Sequence, residues 1–189
     1  EEIEYEYKVT KVDLDKDEQF KTDFKKISPL SKIPVIIDHK KNKTIFESGA
    51  ILIYLAEQSG MFYDQRDRLE INQWLMAQIG YIGPMLGQHH QFHYYNPGKS
   101  IFGEERYFKI AERIYGELNE RLSTSKFLSG DNYNISDIGT FPWIARHKWH
   151  DIGLNNYKHL TRWYNEIAKR DAVLKGFSFM DQNELPPKP

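Results

Sequence analysis

Two short stretches carry residue types from which a binding site for a small peptide could be built. In Lys32-Ile33-Pro34-Val35 a proline heads an apolar run that reads as a strand, where its missing N–H is out of place. A cis peptide before Pro34 would turn the chain so that the N–H and C=O of Ile33 face outward, free to pair with an extended peptide. A trans proline at a sheet edge is the other reading the local sequence allows. In Glu47-Ser48-Gly49 a strand end meets a helix start. The first N–H groups of a helix are unpaired and carry partial positive charge, so the Ser48 hydroxyl and amide could hold a carboxylate while Glu47 pairs with an ammonium. Carboxylate plus ammonium is the head group of an amino acid. Ser48 as a plain N-cap is the alternative.

A third group is His89, His90 and His93, of which the first and last are four apart on a helical pattern. No carboxylate lies near them in sequence as a third ligand, so no metal is expected there. Gln88, His89 and Phe92, with Met85 and Tyr95, instead read as the wall of a second-substrate cleft. His89 as a packing or subunit contact remains open beside that reading. Trp74, Trp143, Trp149 and Trp163 read as core rather than as cofactor-stacking groups.

Composition limits what else these residues could serve. The 189 residues hold 26 Lys+Arg against 27 Asp+Glu, a net charge of −1, with no long basic run, so no nucleic-acid partner is expected. No cysteine is present, which excludes disulfide scaffolds, thiolate metal sites and a cysteine nucleophile within these residues. No apolar run reaches the roughly 20 residues of a membrane span and no signal peptide opens the chain, so a soluble, cytoplasmic protein is expected. The sequence opens at Glu1 rather than Met, directly in a patterned segment, which places the expected native start upstream.

The elements that must position these groups can be read from the hydrophobic period. Ile3, Tyr5, Tyr7 and Val9 alternate and predict a strand over 3–10. Phe20, Phe24 and Ile27 predict a short amphipathic helix that ends before Ser28-Pro29. Ile33–Ile37 and Thr44–Phe46 flank a polar turn and predict a hairpin. From Ser48 the pattern turns helical, with Ile51, Leu52, Leu55 and Ala56 on one face and Gly60 at the left-handed C-terminal position. Beyond residue 62 only helical periods remain: 64–95 with Pro84 as a predicted kink, 104–123, about 134–150 and about 157–170, then an irregular tail from Asn183. Asn134 to Asp137 reads as a capping box with Tyr133 and Ile138 as its staple. The organisation is thus an α/β unit over 1–62 and an all-helical unit over 63–189.

The order and spacing of the Lys32-Ile33-Pro34 stretch, Glu47-Ser48-Gly49-Ala50-Ile51-Leu52, the helical second part and the capping box resemble the cytosolic glutathione transferases. Val12-Asp13-Leu14, Gln19-Phe20, Ile27-Ser28-Pro29, Phe46-Glu47-Ser48-Gly49-Ala50 and Gly83-Pro84-Met85-Leu86-Gly87-Gln88 are similar to the bacterial Nu class, which reduces disulfides with glutathione and is related to the yeast nitrogen-regulation prion protein. The resemblance implies a thioredoxin-like N-terminal domain, an all-helical C-terminal domain, a homodimer, and glutathione as co-substrate in a cleft between domains. It implies that Ile33, before a cis Pro34, pairs with the cysteinyl part of glutathione, that Glu47 and Ser48 hold the γ-glutamyl head, and that Lys32 and Gln19 lie toward the glycine end. It also implies that the group stabilising the thiolate sits in a strand, loop and helix of about 20 residues ahead of Glu1, so no catalytic residue can be named from this sequence. Leu30-Ser31 stands where relatives often carry Asn before the Lys-Ile-Pro motif. Without cysteine, disulfide reduction would pass between glutathione sulfurs and a small disulfide substrate. Conjugation to electrophiles, and a non-catalytic glutathione-binding regulator or scaffold, are the rival functions.

Overall fold

The computed structural model describes residues 1–179 and 184–189, and Asn183, the predicted start of the irregular tail, lies outside them. The chain divides into a smaller unit, Ile3–Met61, and a helical unit, Phe62–Pro189 together with Glu1–Glu2.

The smaller unit begins with the segment 3–10, which is not a strand. Tyr5, Tyr7 and Val9 are each about half exposed. Alternation gives a strand only if a neighbour takes up its N–H and C=O groups and a surface covers its apolar face. Among the described residues no strand lies against this segment, and the one sheet has two strands. A 3-10 turn, Glu18–Phe20, leads into helix α1, Thr22–Ile27. Strands β1, Val35–Asp38, and β2, Lys43–Phe46, pair antiparallel with Val35 opposite Phe46 and Asp38 opposite Lys43. The turn between them is polar, as predicted, and Asp38 closes it by accepting the Lys41 N–H at 3.0 Å. Helix α2, Ser48–Ser59, buries Gly49, Ile51 and Ala56 and ends at Gly60, whose φ of 68° is the left-handed conformation a C-terminal glycine supplies without a Cβ penalty.

In the helical unit, α3 (Arg68–Ala77) and α4 (Gly83–His89) belong to one helical run from Arg68 to Tyr94, broken by two π-helical segments, Gln78–Ile82 and His90–Tyr94. The first ends two residues before Pro84. Proline has no N–H for an i to i−4 bond, and a π segment shifts the ladder just where that bond would be lost. Helix α5 is Ile101–Thr124, capped by the Ser100 hydroxyl, which accepts the Gly103 N–H at 3.1 Å. The predicted helix over 134–150 is two: α6, Ile135–Ile144, and the short α7, His147–His150. Helices α8, Lys158–Ala168, and α9, Asp171–Ser178, follow, and Glu184–Pro189 are irregular.

The core of this unit is where α4, α5, α6 and α8 meet. Leu86, Ile114, Leu118, Leu122, Ile144, Leu160, Trp163 and Ile167 are all almost completely buried. The capping box at Asn134 forms as the sequence predicts. Its Asp137 does more than cap: the carboxylate also accepts the Leu128 N–H at 3.0 Å and the Trp163 Nε1–H at 2.7 Å. Burial pushes its pKa up to about 6 despite these donors.

Candidate functional site

The hairpin register decides which residues of the smaller unit can act together. Because Val35 pairs with Phe46, Pro34 and Glu47 are the next residues outward at the same end of the sheet. Ile33-Pro34 is thereby set opposite Glu47-Ser48, two stretches separated in the sequence by a turn and both strands. The peptide between Ile33 and Pro34 is cis. Ile33 is half exposed, and among the described residues no hydrogen bond reaches its N–H or C=O.

On the other side of this end, Ser48 is the first residue of α2 rather than its N-cap. The cap position falls to Glu47, with φ 69° and ψ 118°, and no side chain caps the helix. A left-handed φ at a side-chain-bearing residue costs on the order of 1–3 kcal/mol and is maintained only by its surroundings. Here it leads the chain directly from β2 into α2. The Ile51 N–H is the first to find a helical acceptor, the Glu47 carbonyl at 2.9 Å, so the N–H groups of Ser48, Gly49 and Ala50 have no acceptor within the helix. Both Glu47 and Ser48 are exposed.

Two contacts fix α2 on the hairpin, and with it the helix start. The Tyr54 hydroxyl donates to Asp38 at 2.6 Å, and the Lys41 ammonium donates to the Gln58 side chain. The Asp38 carboxylate beside it pushes the Tyr54 phenol up to about 12.

Ahead of the cis peptide, Ser28 closes the loop that follows α1. Its N–H donates to the Phe24 carbonyl at 2.9 Å and its carbonyl accepts the Ser31 N–H at 2.9 Å. Its hydroxyl donates to the Lys32 carbonyl at 2.7 Å and accepts the Lys32 N–H at 3.1 Å. The Lys32 side chain is exposed next to Ile33. Gln19 sits in the 3-10 turn, and its Oε1 is buried with no partner among the described residues. The chain therefore offers an outward-facing peptide edge at Ile33 and free helix N–H groups beside a carboxylate at Glu47-Ser48. That set fits an extended peptide ending in an amino-acid head group.

The three residues read as a second-substrate wall do not share one face of the helical unit. Gln88 is exposed. Phe92 is half-buried and stacks on Tyr107 with centroids 5.3 Å apart. His89 is completely buried, and its Nε2–H donates to the His150 carbonyl at 2.9 Å. The packing role weighed for His89 is the one its burial matches.

His89 belongs to a buried cluster that sequence reasoning missed. His90 Nε2 and His150 Nε2 are 2.6 Å apart, with the rings stacked at a centroid distance of 4.7 Å. The Tyr115 hydroxyl lies 2.6 Å from the other nitrogen of His150. One proton serves each contact, so the chain is complete with both imidazoles neutral. Burial holds His90 down to about 4 and His150 down to about 2. Among the described residues no group of three or more His, Asp or Glu is placed to hold a metal ion, and no helix is long and apolar enough to cross a membrane.

The family model of the glutathione S-transferase N-terminal domain matches residues 1–57, and that of the C-terminal domain matches residues 104–171. The chain belongs to the glutathione transferase family. Within it, the chain is similar to the disulfide-bond oxidoreductase YfcG of Escherichia coli, with 42% identity over 180 residues, 92% of this chain and 84% of that protein. A glutathione transferase family member from Pseudomonas fluorescens, solved with two glutathione molecules bound, superposes with a TM-score of 0.85 at 36% identity, over 93% of this chain and 83% of that one. A glutathione transferase from Pseudomonas putida, solved with one glutathione disulfide per subunit, gives a TM-score of 0.85 at 35% identity, over 93% of this chain and 81% of that one.

Proposed function

We propose that this protein is a glutathione-dependent disulfide reductase that holds glutathione along Ile33-Pro34 and Glu47-Ser48. The observation that carries the reading is the juxtaposition set by the hairpin register: a free peptide edge at Ile33 directly opposite a helix start with an adjoining carboxylate. Glutathione presents the complementary pieces. Its cysteinyl peptide pairs with the Ile33 backbone, its α-carboxylate meets the Ser48 hydroxyl and the first N–H groups of α2, and its ammonium meets Glu47. Lys32 and Gln19 lie toward the glycine carboxylate.

Within these 189 residues there is no cysteine, and the proposed chemistry runs between sulfurs of glutathione and substrate. The bound glutathione thiolate attacks the glutathionyl sulfur of a mixed disulfide, the S–S bond of the substrate breaks, and the departing thiolate takes up a proton. Glutathione disulfide is the oxidised product and a free thiol the reduced one. The name of the Escherichia coli relative and the ligands of the two Pseudomonas structures support the reading of a glutathione-dependent disulfide reductase. In this reading the protein works as a homodimer in the cytoplasm, where glutathione is kept reduced.

The test is steady-state reduction of the mixed disulfide of glutathione and hydroxyethyl thiol, with mass spectrometry of the turnover mixture. A rate that saturates in glutathione, an approximately tenfold higher glutathione KM in Ser48→Ala, and no glutathionyl adduct on the protein are expected. Glutathione binding without turnover would instead assign the protein to the regulatory or scaffold class.

A further inference from the structure

We infer that Ser28 is a positioning residue for the glutathione site: its hydroxyl holds the Lys32 peptide so that the N–H of Ile33 is aimed at the ligand. The inference rests on the glutathione reading above and adds to it a residue that need not touch the ligand.

A peptide group is planar, so the C=O of Lys32 and the N–H of Ile33 belong to one rigid plate. The cis bond lies one residue further on, between Ile33 and Pro34, and the Lys32–Ile33 peptide is trans. In a trans peptide the carbonyl and the N–H point in opposite directions. Whatever captures the Lys32 oxygen on one side therefore sets the direction of the Ile33 N–H on the other. The captor is the Ser28 hydroxyl, at 2.7 Å. The same oxygen accepts the Lys32 N–H at 3.1 Å, so the peptide plates on both sides of the Lys32 Cα are tied to one atom.

Ser28 is itself held in place. It is 1% exposed, its N–H is tied to the end of α1 at Phe24 and its carbonyl to Ser31. Ser31, buried and at φ 56°, provides the reversal that brings Lys32 back over the hydroxyl. A single donor proton and the oxygen lone pairs are all that a serine side chain has, and here both are used on Lys32. A methyl group at this position would leave the Lys32 N–H and C=O without partners and return rotational freedom to the plate that carries the Ile33 N–H. Ligand binding would then include the ordering that Ser28 now supplies in advance.

The experiment measures glutathione affinity by calorimetry, and kcat and KM in the disulfide assay, for the full chain as wild type, Ser28→Ala and Ser28→Thr, with thermal midpoints alongside. Ser28→Ala is expected to raise the glutathione Kd and KM about tenfold with kcat changed less than threefold, and Ser28→Thr, which keeps the hydroxyl, to stay within threefold of wild type. Should Ser28→Ala not fold, Ser28→Cys replaces it, since a thiol keeps the volume but is a weak donor and acceptor, and the same rise is expected. An unchanged Kd in a folded Ser28→Ala or Ser28→Cys protein overturns the inference while the glutathione reading stands. An equal loss in Ser28→Thr does the same. A wild-type protein that binds no glutathione overturns both.

Discussion

Acidification from pH 7 to pH 5 should weaken the helical unit by about 3 kcal/mol, and the buried histidine pair is the cause. A histidine whose folded pKa is depressed binds its proton first in the unfolded chain, so its contribution is complete above the unfolded value of about 6.5 and is lost as pH falls below it. With His90 at about 4 and His150 at about 2 in the fold, each loses about 2 kcal/mol between pH 7 and pH 5 by this linkage. Asp137 works in the opposite direction. Its folded pKa of about 6 lies above its unfolded value, so the fold takes up a proton there that the unfolded chain does not, returning about 1.3 kcal/mol over the same interval. His89 and His147 are also held low by burial and add to the loss. The surroundings offer the pair little compensation. His89 and His93 face it from the run through α4, Tyr115 from α5, Trp143 from α6, and Arg146, His147 and Trp149 from the segment around α7. The Arg146 charge opposes protonation of His90, and among the described residues the carboxylate of Asp151 acts on His89 rather than on the pair. Urea unfolding followed by tryptophan fluorescence reads this unit alone, because Trp74, Trp143, Trp149 and Trp163 all belong to it. The His90→Gln protein, whose amide oxygen can accept from His150, should lose about 2 kcal/mol less than wild type across the same pH interval. Equal wild-type stability at pH 7 and pH 5, or an undiminished slope in His90→Gln, would refute the reasoning.

Two further substitutions test the packing of the same unit. Asp137→Ala removes the acceptor of the Leu128, Trp163 and Asn134 N–H groups in a site with no exposure, and a loss of about 3–5 kcal/mol is expected in denaturant unfolding; a loss below about 1 kcal/mol would show that the site rehydrates. Gly103→Ala would place a Cβ 2.5 Å from the Phe92 ring, so a cost of about 1–3 kcal/mol is expected, measured as a lower thermal midpoint and relieved in the Gly103→Ala, Phe92→Leu double variant.

How far the sequence reveals the fold depends on whether an element's partners are near it in the chain. The β1–β2 hairpin and α2 carry their own signals: a polar turn that Asp38 closes, an apolar face at Ile51 and Ala56, and a glycine at φ 68° to end the helix. The capping box is legible for the same reason, since Asn134 and Asp137 satisfy each other's backbone within one turn. The segment 3–10 has as clear a period as any of these, yet it is not a strand. A helix completes its own hydrogen bonds, whereas a strand depends on a neighbour, and among the described residues no strand pairs with the segment of Ile3, Tyr5, Tyr7 and Val9.

The site follows the same division. Ile33-Pro34 and Glu47-Ser48 each show their residue types locally, and the short hairpin between them sets both at one end of the sheet. The alternative of Ser48 as a plain N-cap falls one residue off, because Glu47 takes the cap position with a left-handed φ that nothing in its chemistry favours and that the junction of β2 with α2 imposes. The His90–His150–Tyr115 chain shows the opposite limit. Its members are 60 and 35 residues apart, and on their own helices they read as ordinary amphipathic positions. What selects them is mutual burial, with Trp143 and Trp149 packed on His90 in a space where a neutral imidazole must find its hydrogen bonds from another buried side chain. His89 shows the same dependence: i to i+4 spacing identifies a shared helix face, and only the packing of α4 determines that the face of His89 is the inner one. Ser28 lies between these cases, because its partner is four residues away and visible, while its use depends on a peptide plane whose direction matters only once a ligand is proposed for Ile33.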